Sequence, residues 1–212
     1  LDMVSVDGFN IEYDPKIIYA AVCHGEMHRE ITNTFAPYDF SFPQDVIFGK
    51  VGFGDQNASH ILFSVMKAKD KPDNIMHPDS INIYPAENFV TGTDARLSFW
   101  DNQIYLQAEA AVSLFTENQN STTFESFTGG FPDWVSRTFN PTLSTHVDYA
   151  YKVEPGINFK TTQISAVYSI VGPGYKTLGN PMLRNDRKTI GGMIYQSLFK
   201  NQVAFNARFD RF

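Results

Sequence analysis

The chain has one cysteine, two tryptophans and no apolar run approaching the roughly 18 residues of a membrane-crossing helix. A single cysteine excludes an intrachain disulfide and any multi-cysteine zinc or iron–sulfur site. Charge is scarce, at 19% of 212 residues, where an average soluble chain carries roughly 25%. Bases are outnumbered 17 to 23, for a net charge of −6, and a general nucleic-acid binder would be basic. The first residues lack a basic region followed by an apolar stretch, so no signal peptide is expected in them. No persuasive long helix is present, and neither is a G-x-S-x-G nucleophile elbow. Intrinsic disorder is excluded too, because few charges come with 15% aromatic residues.

What the sequence has is alternation. In 88–99, Phe89, Ala95, Leu97 and Phe99 share one parity, with Asp94, Arg96 and Ser98 on the other. That is the two-residue period of a strand. Trp100-Asp101-Asn102 reads as a tight turn, and 103–115 alternates again through Ile104, Leu106, Ala108, Ala110, Val112 and Leu114. The same design recurs in 9–26, 46–69, 146–170 and 190–210, each with a short turn at its centre. The expectation is all-β: ten strands in five antiparallel hairpins, one unit over 1–212. Closing turns take a few residues. Joining segments are long and rich in Pro, Asn, Gly and Ser, at about 27–44, 70–87, 116–141 and 172–188. A short helical turn is expected over 132–139, with Pro132 first.

Short turns on one side and long loops on the other are the pattern of an up-and-down transmembrane β-barrel. Tyr13, Phe99, Trp100, Tyr105, Phe159 and Phe199 lie close to the short turns, as an aromatic girdle at one membrane interface requires. Asp94, Arg96, Glu109, Lys152, Glu154 and Arg208 fall on the polar parity and are expected to face a lumen. If the short turns are periplasmic, both ends of the pattern lie on the extracellular side. Single-chain barrels keep both ends in the periplasm, so a larger barrel of twelve or more strands is expected. A soluble β-sandwich or open barrel gives the same alternation with one face in a core.

The tract 171–186, Val-Gly-Pro-Gly-Tyr-Lys-Thr-Leu-Gly-Asn-Pro-Met-Leu-Arg-Asn-Asp, resembles a segment of large outer-membrane β-barrel proteins of Bacteroidota and related bacteria. The cadence of strand, short turn, strand and GPGY loop extends the resemblance over about 143–212. It implies a fold and a place in the bacterial outer membrane, with no catalytic residue. Outer-membrane lipid, other envelope proteins or the rest of a larger barrel are the partners it implies, and no cofactor.

Several constellations carry a functional and a plain reading together. His24, Glu26 and His28 share one parity and are residue types that ligate zinc or iron, but they also suit the loop end of a strand. Cys23 lies on the opposite parity and has no base at its side in sequence. Gly172-Pro173-Gly174 lacks the G-K-[ST] ending of a phosphate loop and reads as rigid loop geometry. Phe124, Phe127, Phe131, Trp134 and Phe139 crowd the longest loop, to bind a glycan or protein or to pack on themselves. Tyr175, Arg184 and Arg187 are further candidates for partner contact, although the run Arg184 to Lys188 also reads as a solvated charge cluster. The expected function is therefore a non-enzymatic outer-membrane barrel segment for transport, secretion or surface anchoring. The alternatives are a soluble secreted module that binds through its aromatic loop, and a β-rich hydrolase using Glu109 and Glu154.

Overall fold

The computed structural model describes residues 6–15, 17–28, 42–56, 58–72, 83–123, 138–180, 183–198 and 203–211. They form ten strands: β1 (Asp7–Tyr13), β2 (Ile18–His28), β3 (Gln44–Gly54), β4 (His60–Asp70), β5 (Glu87–Phe99), β6 (Ile104–Thr116), β7 (Thr145–Asn158), β8 (Thr162–Val171), β9 (Arg187–Leu198) and β10 (Val203–Arg211). All belong to one sheet in sequence order, and every neighbouring pair is antiparallel. The sheet is open: β1 pairs with β2 only and β10 with β9 only. The five hairpins stand where alternation predicts them. The third long connection extends further than expected, because β7 begins at Thr145. Most of the predicted helical turn at 132–139, and Phe199 of the predicted girdle, lie outside the described residues.

Parity separates two faces. On the inner face, one cross-strand row runs Asp94, Glu109, Lys152, Ser169 and Thr189. On the outer face, another runs Phe63, Thr93, Ala110, Tyr151 and Ile170. The sheet curves around the inner face, since Phe48 and Lys50 of β3 line the same hollow as Ser169 and Val171 of β8.

The register is staggered. One row starts at Arg211, the last residue of β10. It passes through Ile190, Tyr168, Val153, Ala108, Ala95, Ile61 and Phe53, and ends at Ile18, the first residue of β2. A single perpendicular row thus joins the long-loop end of one strand to the short-turn end of another. The slip averages about one residue per strand, or about 3.3 Å for each ~4.8 Å of strand spacing. That ratio tilts the strands by about 35° to the axis of curvature, the tilt of a barrel whose shear equals its strand number.

The turn at Trp100-Asp101-Asn102 has three successive residues at positive φ, 48°, 54° and 65°. It closes with the Gln103 amide donating to the Trp100 carbonyl at 3.1 Å. Burial concentrates at the long-loop end and along the inner face. Met27, Val46, Met66 and Ala68 form one cluster, and Tyr19, Ala21 and Leu62 another. A third lies on the outer face, where Phe139 from the longest loop covers Phe89 and Leu114. The loops are tied to their strand ends by polar side chains. Gln44 Nε2 donates to Asp70 Oδ1 at 2.7 Å, the Ala86 amide donates to Asp70 Oδ2 at 2.8 Å, and Gln119 Nε2 donates to the Ala86 carbonyl at 2.7 Å.

Candidate functional site

The inner face of the sheet carries the chemistry. Asp94, Arg96, Glu109, Lys152, Glu154 and Arg208 all stand on it by register. The Lys152 ammonium lies 3.4 Å from Glu109 and 3.1 Å from Glu154, so one cation is shared by two carboxylates. Beside them, His60 Nε2 lies 3.5 Å from Asp94 Oδ1. Nearer the short turns, the Arg96 guanidinium stacks 4.3 Å from the ring centre of Tyr105. The Tyr105 hydroxyl donates to Glu154 at 3.2 Å.

Tyr105 corrects an expectation. Its place beside a turn suggested an outward aromatic, but its parity is that of Gln107 and Glu109, and its ring lies across Gly156. A Cβ on Gly156 would meet that ring at 2.2 Å, so the glycine is the slot that seats it. Tyr105→Ala is expected to cost about 1–3 kcal/mol, from the lost cation–π contact and the uncovered slot. Tyr105→Phe keeps the ring and gives up only the hydrogen bond, about 1 kcal/mol. Thermal unfolding of the two variants in detergent ranks them, and equal losses would mean that the ring packs nothing.

The loop after β8 closes the site from above. Its backbone turns onto the inner face instead of away from the sheet. The Gly174 amide donates to Asp148 Oδ2 at 2.7 Å. Ser113 Oγ donates to the Lys176 carbonyl. The Leu178 amide donates to Asn88 Oδ1 at 3.0 Å, and the Leu178 side chain packs on the Met27, Val46, Met66 and Ala68 cluster. Asn88 is fully buried, and its Nδ2 donates to Ser113 Oγ at 2.9 Å and to the Leu114 carbonyl at 3.0 Å. Gly172 packs directly on the Asp148 carboxylate, which a Cβ would meet at 2.1 Å and displace. Tyr175, read from the sequence as a partner contact, is 6% exposed and forms part of the roof of the hollow, and burial pushes its hydroxyl up from the usual tyrosine range.

Under this roof lies a hollow of about 430 Å³. Ser64, Gly92, Ala111 and Ala150 make one cross-strand row beneath it, and their small side chains leave the space. Lys50, Asp94, Glu109 and Lys152 line it with equal numbers of each charge.

Lys176 of the loop also pairs with Glu117, and this hydrogen bond holds the Glu117 carboxyl below its ordinary 4.5. The sign follows from the lowered value. The tether is fully present above 4.5 and is lost as the pH falls below it, through the folded value. Both side chains are nearly half exposed, so the pair contributes no more than about 1 kcal/mol. Glu117→Gln is therefore expected to speed tryptic cleavage after Lys176 by at most about fivefold. A larger acceleration would show the tether to be the main anchor of the loop.

The remaining candidates fall elsewhere. His24 and Glu26 pair with Ile47 and Asp45 on the outer face, but a bulge before His28 sets that residue opposite Gln44 of the inner row. The two-residue alternation of the register therefore breaks before His28, and His24 Nδ1 lies 3.2 Å from the Val46 carbonyl oxygen. Among the described residues no group of three or more His, Cys, Asp or Glu side chains is placed to hold a metal ion. Cys23 is half-buried on the inner face opposite Phe48. Phe124, Phe127, Phe131 and Trp134 lie outside the described residues, and their neighbour Phe139 packs on the sheet. Arg184 is exposed. Sequence reasoning missed Asn88, Ser113 and Asp148 as loop anchors. Their only signal was a polar side chain on the inner parity, which many residues share.

No family model matches the chain, and no curated protein or solved structure matches it.

Proposed function

We propose that this chain is a wall segment of a bacterial outer-membrane β-barrel, without enzymatic activity, that serves passage, secretion or surface anchoring. The observation that carries this reading is the outer face. Large apolar side chains stand exposed along it from β1 to β10, among them Ile11, Val51, Phe63, Leu97, Leu106, Tyr149, Ile164, Ile194 and Phe205. Among the described strands, charge appears on that face only within the last four residues at the long-loop end, at Asp7, Glu26, Asp45, Lys67, Lys69, Glu87, Lys188 and Arg211.

The dimensions support the same reading. From Ile104 to Leu114 a strand rises about 33 Å, which a 35° tilt reduces to about 27 Å. Ending the band at Val112, below the cover of Phe139, gives about 22 Å. A barrel's apolar band is about 25 Å tall. Tyr13, Phe53, Phe99, Trp100 and Phe159 are exposed at the short-turn end, at one edge of that band. An aromatic level at the edge of an apolar band suits one interface of a bilayer. Lipid cannot satisfy free backbone groups, so the edges of β1 and β10 require closure, by further strands of a larger barrel in this reading. The long loops then lie outside, where they meet other envelope components. The resemblance carried by 171–186 points the same way.

One observation favours a soluble secreted module instead: Phe139 covers part of the outer face, as a core would. Fractionation of the native source decides between them. The expected result is an outer-membrane species that migrates differently on a gel before and after boiling. A soluble species with no shift would overturn the membrane reading.

A further inference from the structure

We infer that the loop 172–180 is a fixed size filter for small hydrophilic solutes of no net charge. This inference rests on the passage reading above. Three observations carry it. The loop is held at the inner face by groups from three strands: Asn88 of β5, Ser113 of β6 and Asp148 of β7. Its apolar side chains, Tyr175 and Leu178, are spent on the inner face and its buried cluster. In a closed barrel a loop so engaged narrows the lumen at one level, and its backbone amides and carbonyl have their partners there, so it has no reason to leave. Below it remains the hollow of about 430 Å³, at the small end of the ~300–1,000 Å³ of small-molecule sites.

The lining sets the chemical class. Asp94, Glu109 and Lys152 stand side by side in one cross-strand row, Lys50 stands at the end of the small-residue row, and Lys152 is already shared between Glu109 and Glu154. Two positive and two negative side chains balance in the lining, so it favours neither an anion nor a cation. Hydroxyl-rich neutral molecules and zwitterions find donors and acceptors without an uncompensated charge to desolvate. The row Ser64, Gly92, Ala111 and Ala150 supplies width where the loop takes it away.

The test uses the full-length protein, purified in detergent and reconstituted in phosphatidylcholine–phosphatidylglycerol vesicles. Swelling is measured in arabinose, sucrose, raffinose and a 3 kDa dextran. The expected wild-type result is a rate that falls steeply from arabinose to raffinose, with dextran excluded. Asn88→Ala combined with Asp148→Ala unpins the loop, and is expected to raise raffinose entry at least tenfold. A second variant does not depend on that protein folding. Ser113→Cys with Lys176→Cys, in a Cys23→Ser background, locks the loop in place by a disulfide. Locked protein should swell at the wild-type rate. If locking stops arabinose entry, the loop must move for passage and the fixed filter is overturned. If the unpinned protein folds, judged by its gel shift on boiling, and keeps the wild-type profile, the loop sets no size limit and the inference fails while passage stands. If wild-type, locked and unpinned proteins all leave arabinose outside, the passage reading itself fails.

Discussion

Arginine at Ala110 is expected to cost about 2–4 kcal/mol of folding free energy in a bilayer, and within about 0.5 kcal/mol in water. Ala110 is exposed on the outer face, between Thr93 and Tyr151, six residues above the Ile104 end of β6. In the barrel reading that position is near mid-depth, where a guanidinium has neither water nor a counter-ion. On a soluble sheet the same side chain meets solvent. Leu143→Arg, on a long loop and 63% exposed, is the matched control and is expected to be neutral in both settings. Urea titration of the intact protein refolded into lipid vesicles measures the two variants side by side. Equal stability of the Ala110 and Leu143 variants would remove lipid from the outer face.

Asn88→Ala is expected to destabilise by about 2–4 kcal/mol, the largest loss for a polar inner-face residue. The side chain is 0% exposed and makes three hydrogen bonds: it donates to Ser113 Oγ and the Leu114 carbonyl, and accepts from the Leu178 amide. Truncation leaves the part-buried Leu178 amide without its acceptor, at about 1–3 kcal/mol. It also opens a small void beside that loop backbone. Asn88→Asp keeps the acceptor for Leu178 but turns a donor toward Ser113 and Leu114 into a second acceptor, and it is expected to fail as badly. The heating midpoint of the gel shift, together with tryptic cleavage after Lys176, reports stability and loop release together. A loss below 0.5 kcal/mol with unchanged cleavage would mean that Asp148 and Ser113 suffice to hold the loop.

The strands were legible because parity is local. Leu97 and Arg96 differ by one step along the chain, and in an extended backbone one step is one face. The inner placement of Asp94, Glu109, Lys152 and Arg208 follows from that rule alone. Tyr105 shows how a second rule can mislead. Its nearness to the turn suggested the girdle, while its parity already assigned it to the face it occupies. His28 shows where parity stops, because the bulge at Met27 inserts one residue and breaks the count. A bulge depends on what the partner strand presents, and nothing in His-Gly-Glu-Met-His announces it.

The in-turned loop was legible only as rigid geometry around Gly172-Pro173-Gly174. That Gly172 makes room for the Asp148 carboxylate, 24 positions earlier, is a relation between two strands and a loop. By itself the sequence determined which residues extend, which turn, and which side chains share a face, because these depend on bonds between near neighbours. Tertiary structure alone decided the one-residue slip per strand that curves the sheet, the bulge before His28, and the return of the loop onto Asn88, Ser113 and Asp148. Those depend on contacts among residues up to 90 positions apart, as Leu178 is from Asn88, which no local period encodes.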